Sequence, residues 1–492
     1  MTMTHADPRA ELNLPYTHVT DMFIDGQWVP AHSHNRTDVV DPATEQVWGS
    51  VPDADGEDVD AAVGAARNAF DAGPWPRLTP AQRAEHLLRI ADEIEARADV
   101  LSATNTRENG SPVMETKGAA ANAASIFRFF ATLADYLQAE DVRIAPVGGH
   151  QTLVRRDPVG VCALIAPWNF PINLVVIKLA PALLAGNTVV IKPATPTPLS
   201  IRFIIEAIEA AGLPDGVVNL ITGDAAAGDM LVRHRDVDKV AFTGSTAVGR
   251  KIAAVCGELL RPVTLELGGK SSALVLPDAD LDAMSQVLVR SCLRNTGQTC
   301  YISTRILAPA QRYDEVVEMV AATIAAAKCG DPFDPDTVFG PVANKMQYDK
   351  VLHYLDTASN EGARVVTGGR PANVTHGYFI TPAVLADVTP EMTVAREEIF
   401  GPVITILRYE TIDEAVEIAN NTSFGLGGIV FSTDPDAALA VAQRIDSGSV
   451  GINFFASNHS APFGGRKDSG LGVEYGVEGL AAYLSYKSIH RR

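Results

Sequence analysis

Cysteine is scarce in this 492-residue chain: Cys162, Cys256, Cys292, Cys300 and Cys329 are the only five, and no two form a CxxC pair. That excludes a disulfide framework and a thiolate zinc site, so no metal centre is expected and a reducing cytoplasm suits the chain. Cations are short as well. Forty Lys and Arg against 59 Asp and Glu leave a formal net charge of -19, a surface that repels phosphate backbones and excludes nucleic acid as a partner. No apolar run reaches the roughly 18 residues of a membrane span, so no membrane association is expected. The segment 1–18 lacks both the basic start and the apolar core of a secretory signal, and reads as a frayed flexible tail. Also missing is a G-x-G-x-x-G after the first strand of the parallel region described next.

The length is too great for one hydrophobic core, so two or three domains are expected. Asp25-Gly26 marks a hairpin between two short strands over 22–29. Alanine-rich helices are predicted over 57–70, 80–100 and 115–137, and extended chain over 142–156, broken at Gly148-Gly149. From Gly160 onward strands (161–166, 188–191, 217–221, 239–242) alternate with helices (172–184, 199–211, 225–233, 248–259). Strands apolar on both faces imply a parallel sheet covered on both sides, with ligands at the carboxyl ends of the strands. A second alternating region begins near Ser271, with strands over 271–276 and 305–308 and helices over 281–295, 313–328, 343–359 and 412–420. The chain closes with a helical turn over 477–483 and a basic tail.

Three segments carry chemistry. Asn295-Thr-Gly-Gln-Thr-Cys300 sets a cysteine just after a glycine turn, and upstream lie Glu266-Leu-Gly-Gly-Lys270 and Pro167-Trp-Asn-Phe-Pro171. Together they offer a thiol nucleophile, a carboxylate base and a side-chain amide donor, which can attack a carbonyl, hold the oxyanion and activate a water. An isolated cysteine is most often a small buried hydrophobe. That reading holds for Cys162 and Cys256, while Cys292 and Cys329 have no partner motif; the motif around Cys300 reverses it. Glu266 ends an apolar strand and precedes Gly268-Gly269, which lets a strand-end carboxylate reach into a cleft. Asn169 fits an oxyanion donor and a turn asparagine equally. Gly223-Asp-Ala-Ala-Ala-Gly228 and Phe242-Thr-Gly-Ser-Thr246 each precede a helix, where Gly and Ser make either a phosphate seat or an ordinary cap.

These segments, with Glu397-Glu-Ile-Phe-Gly-Pro402 and Pro462-Phe-Gly-Gly465, follow one another as in the aldehyde dehydrogenase superfamily, which the chain resembles from about Phe23 to Ile489. The resemblance implies an α/β fold: two doubly wound, mostly parallel Rossmann-like domains plus a small β oligomerisation extension. It places the cofactor-binding domain at 19–138 and 157–265, the catalytic domain at 266–455, and the extension at 139–156 and 470–492. It implies oxidation of an aldehyde to a carboxylic acid with hydride transfer to NAD(P). Cys300 would form a thiohemiacetal and then a thioester, Glu266 would activate the hydrolytic water, and Asn169 with the Cys300 N–H would hold the alkoxide. Ser245 matches the pyrophosphate contact, Lys192 the adenosine-ribose contact, and Glu398 and Phe400 the nicotinamide-ribose and ring contacts. Ile165, Pro167, Trp168, Thr195, Gly223, Gly228, Phe242, Leu267 and Gln347 complete the implied cofactor site. Phe170, Leu174, Ile177, Tyr301, Phe455 and Phe463 would line a substrate pocket without a charged anchor, suited to an apolar aliphatic or aromatic aldehyde.

The chain departs from the family pattern in places. Many NAD-preferring members carry Glu where this chain has Thr195. A threonine does not repel a 2′-phosphate, so NADP is expected to be tolerated beside NAD. Ile177 stands where Trp is frequent, and Leu293-Arg294 where aromatic residues are usual; Arg294 would sit at the pocket mouth with its role open. Two alternatives remain: a coenzyme-A-acylating enzyme, which Glu266 argues against, and a non-catalytic protein on the same fold, which intact Cys300, Glu266 and Asn169 argue against. The Tyr-Leu-Ser-Tyr segment near the end suits an edge strand, so a homodimer or homotetramer is expected.

Overall fold

The structure is a computed structural model describing residues 18, 20–32, 34–370 and 376–492; apart from His18, the expected N-terminal tail lies outside them. An eight-stranded sheet runs in the order Gln27–Pro30, Asp21–Ile24, Val218–Leu220, Thr188–Lys192, Val161–Ile165, Lys239–Thr243, Val263–Glu266, Gly470–Leu471. The five strands from Val218–Leu220 to Val263–Glu266 are parallel, and the hairpin at one edge and Gly470–Leu471 at the other are antiparallel. The predicted hairpin turn forms with both Asp25 and Gly26 at positive φ, as a two-residue turn requires. Chain order reverses between Val161–Ile165 and Lys239–Thr243, so a crevice opens beyond their carboxyl ends. Out of it run Pro167-Trp168-Asn169 on one side and Gly244-Ser245 on the other.

A seven-stranded sheet follows: Arg364–Gly369, Thr381–Ala386, Val403–Tyr409, Arg305–Pro309, Ser272–Val275, Gly428–Phe431, Gly451–Ile452, parallel except for its first pair. The central strands of both sheets are buried throughout, because helices cover both faces. A third, antiparallel sheet joins Asp141–Ile144, Gln151–Pro158 and Leu484–Arg491. The edge strand expected at the Tyr-Leu-Ser-Tyr segment forms and takes in the basic tail, paired over eight residues with Gln151–Pro158 and exposed beyond Leu484. Gly470–Leu471, assigned from sequence to the extension, instead joins the eight-stranded sheet.

Two long helical predictions break up. The 80–100 pattern is a helix over Pro80–Glu95 and a new one over Ala98–Asn109, and the 115–137 pattern is Val113–Thr116, Ala119–Ala131 and Ala134–Gln138. Apolar periodicity continues across each break, so pattern alone does not mark it.

Candidate active site

The candidate nucleophile, Cys300, sits on a loop that only particular residues can form. After the helix Leu281–Cys292, Asn295, Thr296 and Gly297 all take positive φ. A Cβ on Gly297 would lie 2.0 Å from the Gly401 carbonyl, so the turn before Cys300 requires glycine. Side chains pin the loop: Gln298 Oε1 accepts from the Ala343 N–H at 2.9 Å, and Asn295 Nδ2 donates to the Asn169 carbonyl at 2.9 Å. Ser111 Oγ donates to Asn295 Oδ1 at 2.5 Å, and Asn109 donates to the carbonyls of Trp168 and Asn169. Asn169 itself donates through Nδ2 to the Gln298 carbonyl at 2.9 Å. The proposed oxyanion donor and the nucleophile loop are thus directly bonded. The glycines after Glu266 bring the third segment in. A Cβ on Gly269 would stand 2.3 Å from the Cys300 carbonyl, and one on Gly268 2.7 Å from Glu398 Oε2.

The electrostatics keep protons on this site. Cys300 is partly exposed, yet burial and then the carboxylates of Glu398 and Glu266 push its thiol up to about 12. Glu266 is buried, and among the described residues neither of its carboxyl oxygens has a hydrogen-bond partner. Burial, then the charge of Glu474, holds its carboxyl well above the usual range, with Lys178 pulling the other way. Lys178, fully buried, donates from Nζ to Glu474 Oε1 and to Thr243 Oγ1, both at 2.6 Å. The sequence reading missed Lys178 and Glu474. Lys178 carried a signal, as the single charged residue in the apolar helix Pro171–Ala185; Glu474 carried none.

Two cavities flank this centre. The larger, about 930 Å³, fills the crevice of the eight-stranded sheet, and Ile165, Pro167, Trp168, Lys192, Thr195, Gly228, Phe242 and Ser245 line it as expected. Its size and lining suit a dinucleotide. The helix Thr246–Glu258 starts at its wall, capped by Ser245, which presents an anion seat. Among the described residues the buried Lys192 ammonium donates only to the Pro193 carbonyl, at 3.4 Å, and burial lowers it to about 8 while Asp224 and Asp53 hold it up. Thr195 Oγ1 donates to the Gly223 carbonyl at 3.1 Å. Gly223, Leu267, Gln347, Glu398 and Phe400 lie off this cavity's wall. Gln347 Nε2 fixes the carbonyls of Ile399 and Phe400 at 2.9 and 2.7 Å, Phe400 meets Trp168 edge-on at 5.4 Å, and Glu398 accepts from the Gly269 N–H at 2.9 Å.

The smaller cavity, about 270 Å³, lies on the other side of Asn169. Phe170, Leu174, Tyr301 and Phe455 line it as expected, but Ile177 and Phe463 do not. Ile177 is buried in the helical core behind the sheet, and Phe463 packs edge-on against Tyr301 at 6.2 Å. The wall is also less apolar than expected, since Glu115, Arg294, Asn173 and His459 belong to it.

Comparison with known proteins assigns the arrangement. The model of the "Aldehyde dehydrogenase family" matches residues 28–489. The chain belongs to the aldehyde dehydrogenase family. Oxidation of an aldehyde is the reaction of this chain. It is 49% identical over 470 residues to the geranial dehydrogenase of Castellaniella defragrans, covering 95% of this chain and 98% of that one. It superposes with a TM-score of 0.93 and 42% identity on Mycobacterium tuberculosis aldehyde dehydrogenase complexed with NAD+, covering 96% and 97% of the two chains. A Pseudomonas syringae aldehyde dehydrogenase C mutant complexed with NAD+ and octanal matches at TM-score 0.92 and 39% identity, covering 99% and 98%. In this chain the cysteine loop, the glutamate strand and the asparagine turn lie between a dinucleotide-sized crevice and a smaller cavity.

Proposed function

We propose that this chain oxidises an uncharged aldehyde to a carboxylic acid with NAD as oxidant, through a thioester on Cys300. The observation that carries the reading is the position of Asn169. It is bonded to the Cys300 loop, between Trp168 on the wall of one cavity and Phe170 on the wall of the other. The Cys300 thiol passes its proton to a water, and its sulfur then bonds to the aldehyde carbon as the carbonyl π pair moves onto oxygen. The Asn169 amide and the Cys300 N–H hold that alkoxide, a contribution of about 3–4 kcal/mol for one such donor. NAD+ supplies the acceptor for the hydride that leaves the same carbon as the alkoxide collapses to the thioester. Glu266 then takes a proton from water, whose oxygen attacks the acyl carbon, and the sulfur departs. Glu266 needs to be a carboxylate for this step, and Glu474 and Lys178 beside it set how readily that happens. Ser245 and Lys192 would hold the cofactor's pyrophosphate and adenosine ribose, and Glu398 and Phe400 its nicotinamide end. Thr195 leaves room for NADP, against which the carboxylate of Asp224 weighs.

The eight-stranded unit serves as cofactor domain and the seven-stranded unit as catalytic domain in this reading. The exposed strand Leu484–Arg491 leaves an open edge for a second subunit, consistent with a homodimer or homotetramer, and the scattered free cysteines suit the cytoplasm. The deciding experiment is an NAD(P)H-release assay over a panel of aldehydes with both cofactors, run beside Cys300→Ala. Full turnover by that variant would overturn the mechanism, and product release dependent on coenzyme A would favour the acylating alternative.

A further inference from the structure

Arg294 is held in the aldehyde cavity by three kinds of contact. Its guanidinium carbon lies 5.0 Å over the Phe170 ring. Its Nε donates to Glu115 Oε1 at 2.7 Å, and Nη2 donates to the same oxygen. Its Nη1 donates to the Tyr301 hydroxyl at 2.6 Å. Tyr301 in turn stacks on Phe455, with ring centroids 4.8 Å apart and planes 15° from parallel. Glu115 comes from the short helix Val113–Thr116, and Arg294 from the loop that carries Cys300, so two separate segments supply the pair to the cavity wall.

An aromatic face with a carboxylate and a second aromatic ring beside it is what binds an alkylammonium ion, by cation–π attraction and charge. In this cavity that seat is filled from within. Each guanidinium nitrogen already makes one hydrogen bond, and Glu115 neutralises the charge, which weakens any pull on a substrate carboxylate.

We propose that Arg294 is a specificity-determining residue that occupies, over Phe170 and beside Glu115, the seat an ammonium group would take, and so restricts the enzyme to uncharged aldehydes. The inference rests on the cavity being the aldehyde site, as proposed above. Removing the guanidinium without removing its neighbours should create a cation site: Arg294→Met leaves Phe170, Tyr301, Phe455 and an unpaired Glu115 around the vacated space. Removing the neutralising charge should do the opposite. Glu115→Gln leaves the guanidinium on Phe170 with a net positive charge, which continues to exclude cations and begins to attract anions.

The test reads the seat first by binding and then by turnover. Calorimetry with choline, a quaternary ammonium probe without an aldehyde, should show little binding to the wild-type protein and affinity at least about tenfold higher for Arg294→Met. In turnover, the wild-type kcat/KM for octanal should exceed that for 4-trimethylammoniobutanal by about a hundredfold, because the filled seat offers an ammonium group neither the ring face nor the carboxylate. Arg294→Met should narrow that ratio at least about tenfold, mainly through KM for the cationic aldehyde. Glu115→Gln should keep the cationic aldehyde excluded while raising kcat/KM for succinic semialdehyde at least about tenfold. Wild-type protein that binds choline as well as Arg294→Met does would overturn the inference, as would an Arg294→Met ratio unchanged while octanal is still oxidised. If thermal melting shows Arg294→Met unfolded, Glu115→Gln decides: no gain with the anionic aldehyde overturns it. Failure of the wild-type protein to oxidise any aldehyde would count against the proposed function, and the choline result would still report on the seat.

Discussion

Replacing Glu474 with Gln tests the electrostatics of the general base. After burial, the Glu474 charge is the largest cause keeping Glu266 protonated, and Lys178 is the opposing one. Glu474→Gln removes the first while Lys178 keeps its bond to Thr243 Oγ1. A like charge in a dry site favours the protonated carboxyl, so removing it favours the carboxylate. Lys178 then acts unopposed, so the Glu266 titration moves toward acid. Thioester hydrolysis needs the carboxylate form and rises with pH through that titration. In Glu474→Gln the rise should therefore come at lower pH. Stability moves as well, because the substitution breaks an ion pair whose partners are 2.6 Å apart and buried, a loss of about 3–5 kcal/mol. At about 2–4 °C per kcal/mol, the melting temperature falls by on the order of 10 °C. For Glu266 itself the linkage sign is that of a raised acid. Its contribution to stability is full below the ordinary carboxylate range and is lost as pH rises through the raised value, and Glu474→Gln lowers the upper end of that window. Rapid mixing with aldehyde and NAD across a pH series separates the terms: the burst reads hydride transfer and the steady rate reads hydrolysis. An unchanged or alkaline-shifted hydrolysis limb, with the burst intact, refutes the charge argument.

Cys300→Ala should abolish turnover while 5′-AMP still binds the crevice with unchanged affinity, measured by calorimetry; loss of both would point to a structural effect instead. Asn169→Ala should lower kcat by about a hundredfold to a thousandfold, the loss of one oxyanion donor, and a change confined to KM would count against that role. Asp224→Asn should strengthen binding of 2′,5′-ADP relative to 5′-AMP, because the Asp224 carboxylate acts on the Lys192 ammonium across the same cavity. Equal ratios in the two proteins would remove Asp224 from cofactor selection.

The sheets were largely legible because their signals are local. A strand buried on both faces must be apolar throughout, and Val161–Ile165, Thr188–Lys192 and Lys239–Thr243 all emerge within about two residues of the predicted bounds. The glycine signals were equally local in origin but not in reason. Gly268-Gly269 looked like slack for a mobile carboxylate, whereas a Cβ on Gly269 would meet the Cys300 carbonyl. The pair is there so that two segments can pass closely. Helix breaks at Ala96–Arg97 and Gly118 were invisible, since buried residues continue on both sides of each.

Charge compensation was the least legible layer, for a physical reason. A buried ion needs a partner, but the partner can come from anywhere in the chain. Lys178 finds Glu474 across 296 residues, and Arg294 finds Glu115 across 179. Each residue alone reads as an odd charge: one in an apolar helix, one beside a catalytic loop, two without any motif. Motifs mark the groups that do covalent chemistry, because that chemistry fixes residue type and spacing together. The groups that set when Glu266 gives up its proton, and what charge the aldehyde can carry, have no such spacing. They become visible only where the fold closes the distance between them, and the pH profile and substrate range of this enzyme should therefore respond to residues that its motifs do not contain.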